Sequence, residues 1–223
     1  MSLLTLGITG NTDRPVAGGP PFTFIISSEY AGSASGGTTP GVDTTGANII
    51  VIGVHSYAAG NISDSNGNTW TALTDRISTS DVRYRLYYCI NPTVGAGHTF
   101  STTATFGGIV MQAFSSSAGT PVYDQESGNV ANSVTSIQPG SITPSVDDCL
   151  IITGGNFWEC SSNPASCNSG VTVTEGAPFS GGVNFGYAGG YLIQGTAAAI
   201  NPTWSWSTTA TSGHVSMAVF KPS

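Results

Sequence analysis

Asp64, Asn66 and Asn68 stand in D-x-N-x-N spacing, which lets an extended loop present oxygen ligands to Ca²⁺. A full EF-hand loop would add Gly at its sixth position and Glu at its twelfth, where this chain has Thr69 and Asp75. Asn66-Gly67 is also a turn dipeptide, tolerant of positive φ at both central positions. A hairpin turn therefore accounts for the same residues without a metal, and no metal ligand is assigned. His55, His98 and His214 are scattered, and no serine sits in G-x-S-x-G, so no nucleophile–base–acid order emerges. Two carboxylate pairs, Asp124 with Glu126 on one strand face and adjacent Asp147-Asp148, have the composition a glycosidase uses. Neither has the aromatic setting that would raise one pKa of the pair. Solvated loop positions are the preferred reading, and no catalytic residue or cofactor is assigned.

Trp204 and Trp206 are two residues apart and share a strand face. With Tyr191, and with Tyr187 nearby, they form a candidate glycan-stacking platform. Core packing is the preferred alternative, because aromatic side chains carry large apolar area that favours burial. Cys160 and Cys167 bracket a polar, turn-rich loop and form the candidate disulfide, whereas Cys89 and Cys149 lie in strand-like apolar runs. No paired C-x-x-C spacing of a zinc site is present.

These residues must be placed by β-structure. Arg83–Tyr88 alternates, with Tyr84, Leu86 and Tyr88 on one face and Arg83, Arg85 and Tyr87 on the other. That is the period of a strand with one face on a core and one toward water. Asn48–Val54 is a continuous apolar run, as expected for a strand buried on both faces. The 223 residues fit one large all-β domain, long enough to bury a core without metal or disulfide support. Only 8% of residues are charged, with Gly, Ser and Thr in their place, yet the 39% hydrophobic fraction in short clusters separates the chain from disordered sequences. Five Lys+Arg against twelve Asp+Glu leave a net charge of -7. A phosphate backbone or an anionic bilayer needs a basic footprint, so neither nucleic acid nor membrane is an expected partner. The first residues, Met1 to Gly10, carry no basic residue before a broken apolar stretch, a poor signal peptide.

Self-similarity organises the chain. Ser101–Thr105 recurs identically as Ser207–Thr211, and at the same offset of 106 Leu86, Gly107, Met111 and Phe114 meet Leu192, Gly213, Met217 and Phe220. His98 and Phe100 likewise meet Trp204 and Trp206, as packing positions would. Thr39-Pro40-Gly41-Val42-Asp43 is echoed by Thr143-Pro144-Ser145-Val146-Asp147. The expected fold is a jelly-roll type antiparallel β-sandwich over 22–223, built from two duplicated halves at about 39–118 and 143–223, with residues 1–21 as an N-terminal arm. Two separate small sandwiches are the weaker alternative, since strand-like pieces fill Gly119–Gly140. Leu86 with Leu192, Phe100 with Trp206, and Phe114 with Phe220 are expected in one shared core.

The segment Asp64–Thr71 (D-S-N-G-N-T-W-T), followed by Arg85–Tyr88 (R-L-Y-Y) and a strand ending Ala113-Phe114, resembles β-sandwich proteins of bacteriophage virions and bacterial surfaces. The resemblance covers about residues 40–118, with a fainter second copy. It implies a fold and a structural role, and no catalytic residues. The expectation is a non-enzymatic virion-surface protein, a head-decoration, head-fibre or tail-fibre subunit made in the host cytoplasm. It would be homo-oligomeric, with other subunits of the particle held through residues 1–21. A carbohydrate-binding, lectin-like attachment module, on a virion or an extracellular surface, is the alternative.

Overall fold

The computed structural model describes residues 20–32, 35–160, 165–177 and 186–223. Of the expected arm, residues 1–21, residues 1–19 lie outside the described residues, and the Pro21 carbonyl accepts from Ser117 N at 2.8 Å. The first half of the chain supplies β1 (Phe22–Tyr30), β2 (Gly37–Thr38), β3 (Ile49–Ser56), β4 (Ile62–Asp64), β5 (Thr71–Ala72), β6 (Arg76–Ile77), β7 (Arg83–Ile90), β8 (Phe100–Thr102) and β9 (Gly108–Ser116). The second supplies β10 (Val122–Ile137), β11 (Cys149–Trp158), β12 (Ser166–Cys167), β13 (Thr172–Ala177), β14 (Gly186–Gln194) and β15 (Trp204–Lys221). All pairings are antiparallel.

One large sheet runs β1-β9-β3-β7-β5, with β6 also on β7, and the other runs β10-β15-β11-β14-β13, with β12 also on β15. Each is drawn from one half of the chain. In both, the last strand lies between the first and the second. The sheets face each other across a core that takes Phe22, Ile49, Val51, Leu73, Tyr84, Leu86 and Phe114 from one and Leu150, Ile152, Ala218 and Phe220 from the other. A small sheet, β2-β8-β4, covers the outer face of the first, where Ile50, Ile52 and Met111 pack on Phe100. The outer face of the second carries two further clusters. Central strands are thus enclosed on both sides, which is why all eight residues of β3 are buried.

Register lets the two large sheets be superposed strand on strand. Ile49 lies opposite Ile90 on one side and Phe114 on the other; Leu150 lies opposite Ile193 and Phe220. Aligning these pairs places Tyr88 with Tyr191, and the partners of Phe114 and Phe220 on the first strands place Phe24 with Tyr123. The ring contacts are reciprocal. Phe24 stacks on Tyr191 at 5.1 Å and Tyr123 on Tyr88 at 5.6 Å, with interplanar angles of 8° and 4°. Edge contacts follow suit, Phe114 to Tyr191 at 5.0 Å and Phe220 to Tyr88 at 5.2 Å.

The same register corrects part of the expected core. Leu86 corresponds to Gly189, and Leu192 to Cys89. The constant offset of 106 is right for β9 and β15 but three residues wrong for β7 and β14, because the intervening loops differ in length. An odd slip turns a side chain to the other face, so Leu192 packs on the outer side. Phe100 and Trp206 also lie in outer clusters. Phe114 and Phe220 do share the central core.

Candidate functional site

The Asp64 side chain is fully buried and everything around it donates to it. Its Oδ1 accepts from Asn66 N at 2.9 Å, Asn68 Nδ2 at 3.1 Å and His98 Nε2 at 3.0 Å; its Oδ2 accepts from Trp70 Nε1 at 2.8 Å and Asn68 N at 3.2 Å. Asn68 then fastens the loop to Thr93, donating from Nδ2 at 3.1 Å and accepting from Thr93 N at 2.6 Å. Burial alone would raise the Asp64 carboxyl, but the bonds from His98, Trp70 and the two amides outweigh it and hold it below the ordinary value.

The D-x-N-x-N oxygens are used within the protein: both Asp64 oxygens and Asn68 Oδ1 accept from nitrogen donors, and Asn66 Oδ1 lies 3.5 Å from the Ser65 hydroxyl. Asn66-Gly67 does not close a hairpin. Gly67 alone of the two takes positive φ, 72°, and the turn carries the chain from β4 in the small sheet to β5 in the large one.

Sequence reasoning missed what lies beyond Asp64. An ionised carboxylate only accepts, so His98 Nε2 donates to it. The other ring nitrogen, Nδ1, is 2.9 Å from Thr44 Oγ1. Carboxylate, imidazole and hydroxyl stand in the order of a hydrolase triad. Yet His98 and Thr44 are both 0% exposed, and the Thr44 hydroxyl accepts from Gly95 N at 3.2 Å. No external substrate reaches that hydroxyl. Nothing local in the sequence announces the chain of bonds, since its members are 34 and 54 residues apart.

The other candidates are placed apart. A β-bulge between Tyr123 and Gln125 separates the expected carboxylate pair. Asp124 binds Ser145 through its N at 2.9 Å and Oγ at 2.7 Å, while Glu126 crosses to the other sheet and accepts from Thr74 N and Oγ1. The glycan platform is also corrected. Trp204 is 0% and Trp206 8% exposed, both on the outer face of the second sheet, with Trp206 against Phe157 at 4.3 Å. Tyr191 is on the inner face, between Phe24 and Phe114. The three share no surface. The expected disulfide is likewise absent. Cys160 and Cys167 are not joined to each other; both lie in the apolar cluster around Trp204, Cys160 Sγ is 3.6 Å from Thr208 Oγ1, and burial pushes the Cys167 thiol up to about 12. Cys89 and Cys149 are buried free thiols, as expected of small apolar residues.

An open cleft of about 470 Å³ lies against the Asp64 loop, on the outer face of the first sheet. Its lining includes Asn61, Asn68, Thr69, Trp70, Arg85 and Tyr87. Trp70 is fixed by its bond to Asp64 and by an edge contact to Phe100 at 6.1 Å. Arg85 lies over the Tyr87 ring at 5.4 Å and donates from Nε to the Leu73 carbonyl at 2.7 Å. The volume falls within the range of small-molecule sites. Trp70 and the alternation of Arg85 with Tyr87 were legible in sequence; their meeting across a loop and a strand was not. Comparison with protein-family models, curated proteins and solved structures finds no match.

Proposed function

We propose that the chain is a non-enzymatic structural protein of a virion surface, a head-decoration or fibre subunit, built by duplication of a half. The observation that carries this reading is the use made of Asp64. The chemistry-bearing residues of the D-S-N-G-N-T-W-T segment, with His98 and Thr44 behind them, are consumed in buried bonds that hold two loops on a sheet. That is architecture rather than turnover. Support for the duplication comes from the like strand order, the reciprocal ring stacks and the identical Ser101–Thr105 and Ser207–Thr211 segments. In this reading each copy forms its own sheet, and the jelly-roll wiring gives way to a doubled half. Other copies or the particle would hold the chain through residues 1–21.

Mass spectrometry of purified particles from the producing cell should find the protein at a fixed stoichiometry to the major capsid protein. Deleting residues 1–20 should leave it folded and remove it from the particle. A protein found only free in the lysate would overturn the virion reading. The Trp70 cleft favours a second reading, a carbohydrate-binding attachment module, for which the ligand site is the first half rather than Trp204 and Trp206.

A further inference from the structure

We propose that the cleft beside the Asp64 loop binds an acidic saccharide, with the sugar ring on Trp70 and its anionic group on Arg85. The inference rests on the carbohydrate-binding reading for the kind of ligand, and is independent of where the protein resides. Three observations carry it.

The first is charge. Among the described residues, Arg76 pairs with Glu126, Arg83 with Asp75 and Asp81, and Lys221 with Asp124, while Arg85 has no carboxylate partner. Among the described residues of a chain of net charge -7, the cation left without an acid is the one that lines a cleft. Its guanidinium is held over Tyr87 with Nε on the Leu73 carbonyl. That pre-organises a planar fork suited to a carboxylate or sulfate.

The second is the remaining lining. An indole presents an apolar face to the C–H side of a pyranose, and the bond from Trp70 to Asp64 means that its ordering cost is met before any ligand arrives. Asn61 and Thr69 are exposed beside it and supply an amide and a hydroxyl for sugar oxygens. Asn68 is committed to Asp64 and Thr93 and serves as wall.

The third is contrast. The register that aligns the two large sheets puts Ala188 where the first has Arg85, and Gly190 where it has Tyr87. The same strand position is thus filled without a cation or an aromatic ring, so the fold does not require either. The second half has no counterpart of the cleft's charged wall.

The test is an array of neutral, carboxylated (uronate- and sialate-type) and sulfated glycans probed with the full chain, followed by calorimetry on any hit. Retention of acidic glycans over their neutral counterparts is expected, weakening as salt is raised to about 0.5 M. Arg85→Gln should weaken acidic-glycan binding at least about tenfold and Arg85→Lys less, the loss expected for a bond to a charged group. Asn61→Ala, at an exposed position that cannot threaten folding, should weaken binding more modestly and serves if Arg85→Gln misfolds. The carboxylated and sulfated arms decide which anion the guanidinium takes. Neutral glycans bound equally well, with no effect of salt or of Arg85→Gln, would overturn the acidic ligand while leaving the carbohydrate reading standing. No glycan bound at all would overturn both.

Discussion

At the residue scale, Asp64 shows why a motif of polar side chains need not be a site. Five donors meet one carboxylate that water does not reach, and one of them, the His98 ring, is itself fully buried. Asp64→Ala should cost several kcal/mol, since it leaves donors around the lost carboxylate unpaired at about 1–3 kcal/mol for each one that stays buried, and should loosen Trp70, read as a change in its fluorescence. A loss under about 1 kcal/mol in urea titration would mean that the loop is held by something else. Because the folded carboxyl titrates below its ordinary value, this contribution is complete above that value and is lost as pH falls through the folded one. The D-x-N-x-N spacing was legible in the sequence, but its purpose was not. The deciding partners, His98 and Thr93, are supplied by a loop 25 to 34 residues further on.

At the element scale, periodicity told the truth about faces. The alternation of β7 and the unbroken burial of β3 both follow from the pattern of apolar residues. The offset of 106 agrees with the sheet register in β9 and β15, where identity is dense, and departs from it in β7 and β14, where it pairs Leu86 with Leu192 instead of Tyr88 with Tyr191. Loop lengths set that offset, and a single sequence shows no loop lengths until the strands are paired. The reciprocal stacks make a quantitative expectation. Double-mutant cycles on Phe24 with Tyr191 and on Tyr123 with Tyr88 should return similar coupling energies, ~0.5–1.5 kcal/mol each. Phe114→Ala and Phe220→Ala should each cost ~3–5 kcal/mol. Coupling confined to one of the two stacks, measured by equilibrium unfolding, would contradict the reciprocity.

At the scale of the whole molecule, the space between the sheets has two different ends. Near the start of β3 it holds the stacked rings. Near its end it holds polar groups: His55 stacked on Tyr187 at 4.2 Å, the Tyr187 hydroxyl donating to Glu29 at 2.9 Å, and Asn156 Nδ2 donating to the Arg83 carbonyl at 3.1 Å. His214 lies opposite Asn156. Burial lowers His55 to about 3 and His214 to about 4, both from 6.5. Below pH 6.5 the unfolded chain therefore takes up protons that the folded chain refuses. Stability should fall from that pH down to about 4, by up to about 1.4 kcal/mol per pH unit for each histidine. Glu29, which burial raises, acts in the opposite sense from pH 4.5 upward. Urea midpoints measured across pH 4 to 7 check this, and replacing both histidines by glutamine should flatten the slope. An unchanged slope in that double variant would remove the histidines as its cause.

The unequal ends also have a mechanical meaning. Under a load that pulls the sheets apart, the two reciprocal ring stacks resist along their whole contact area, whereas the histidine end, with one ring stack, one edge contact and separate hydrogen bonds, yields as water replaces those bonds one by one. The molecule should then behave as a hinge clamped at the aromatic end. It would gape first at the histidine end and recoil when the load is released.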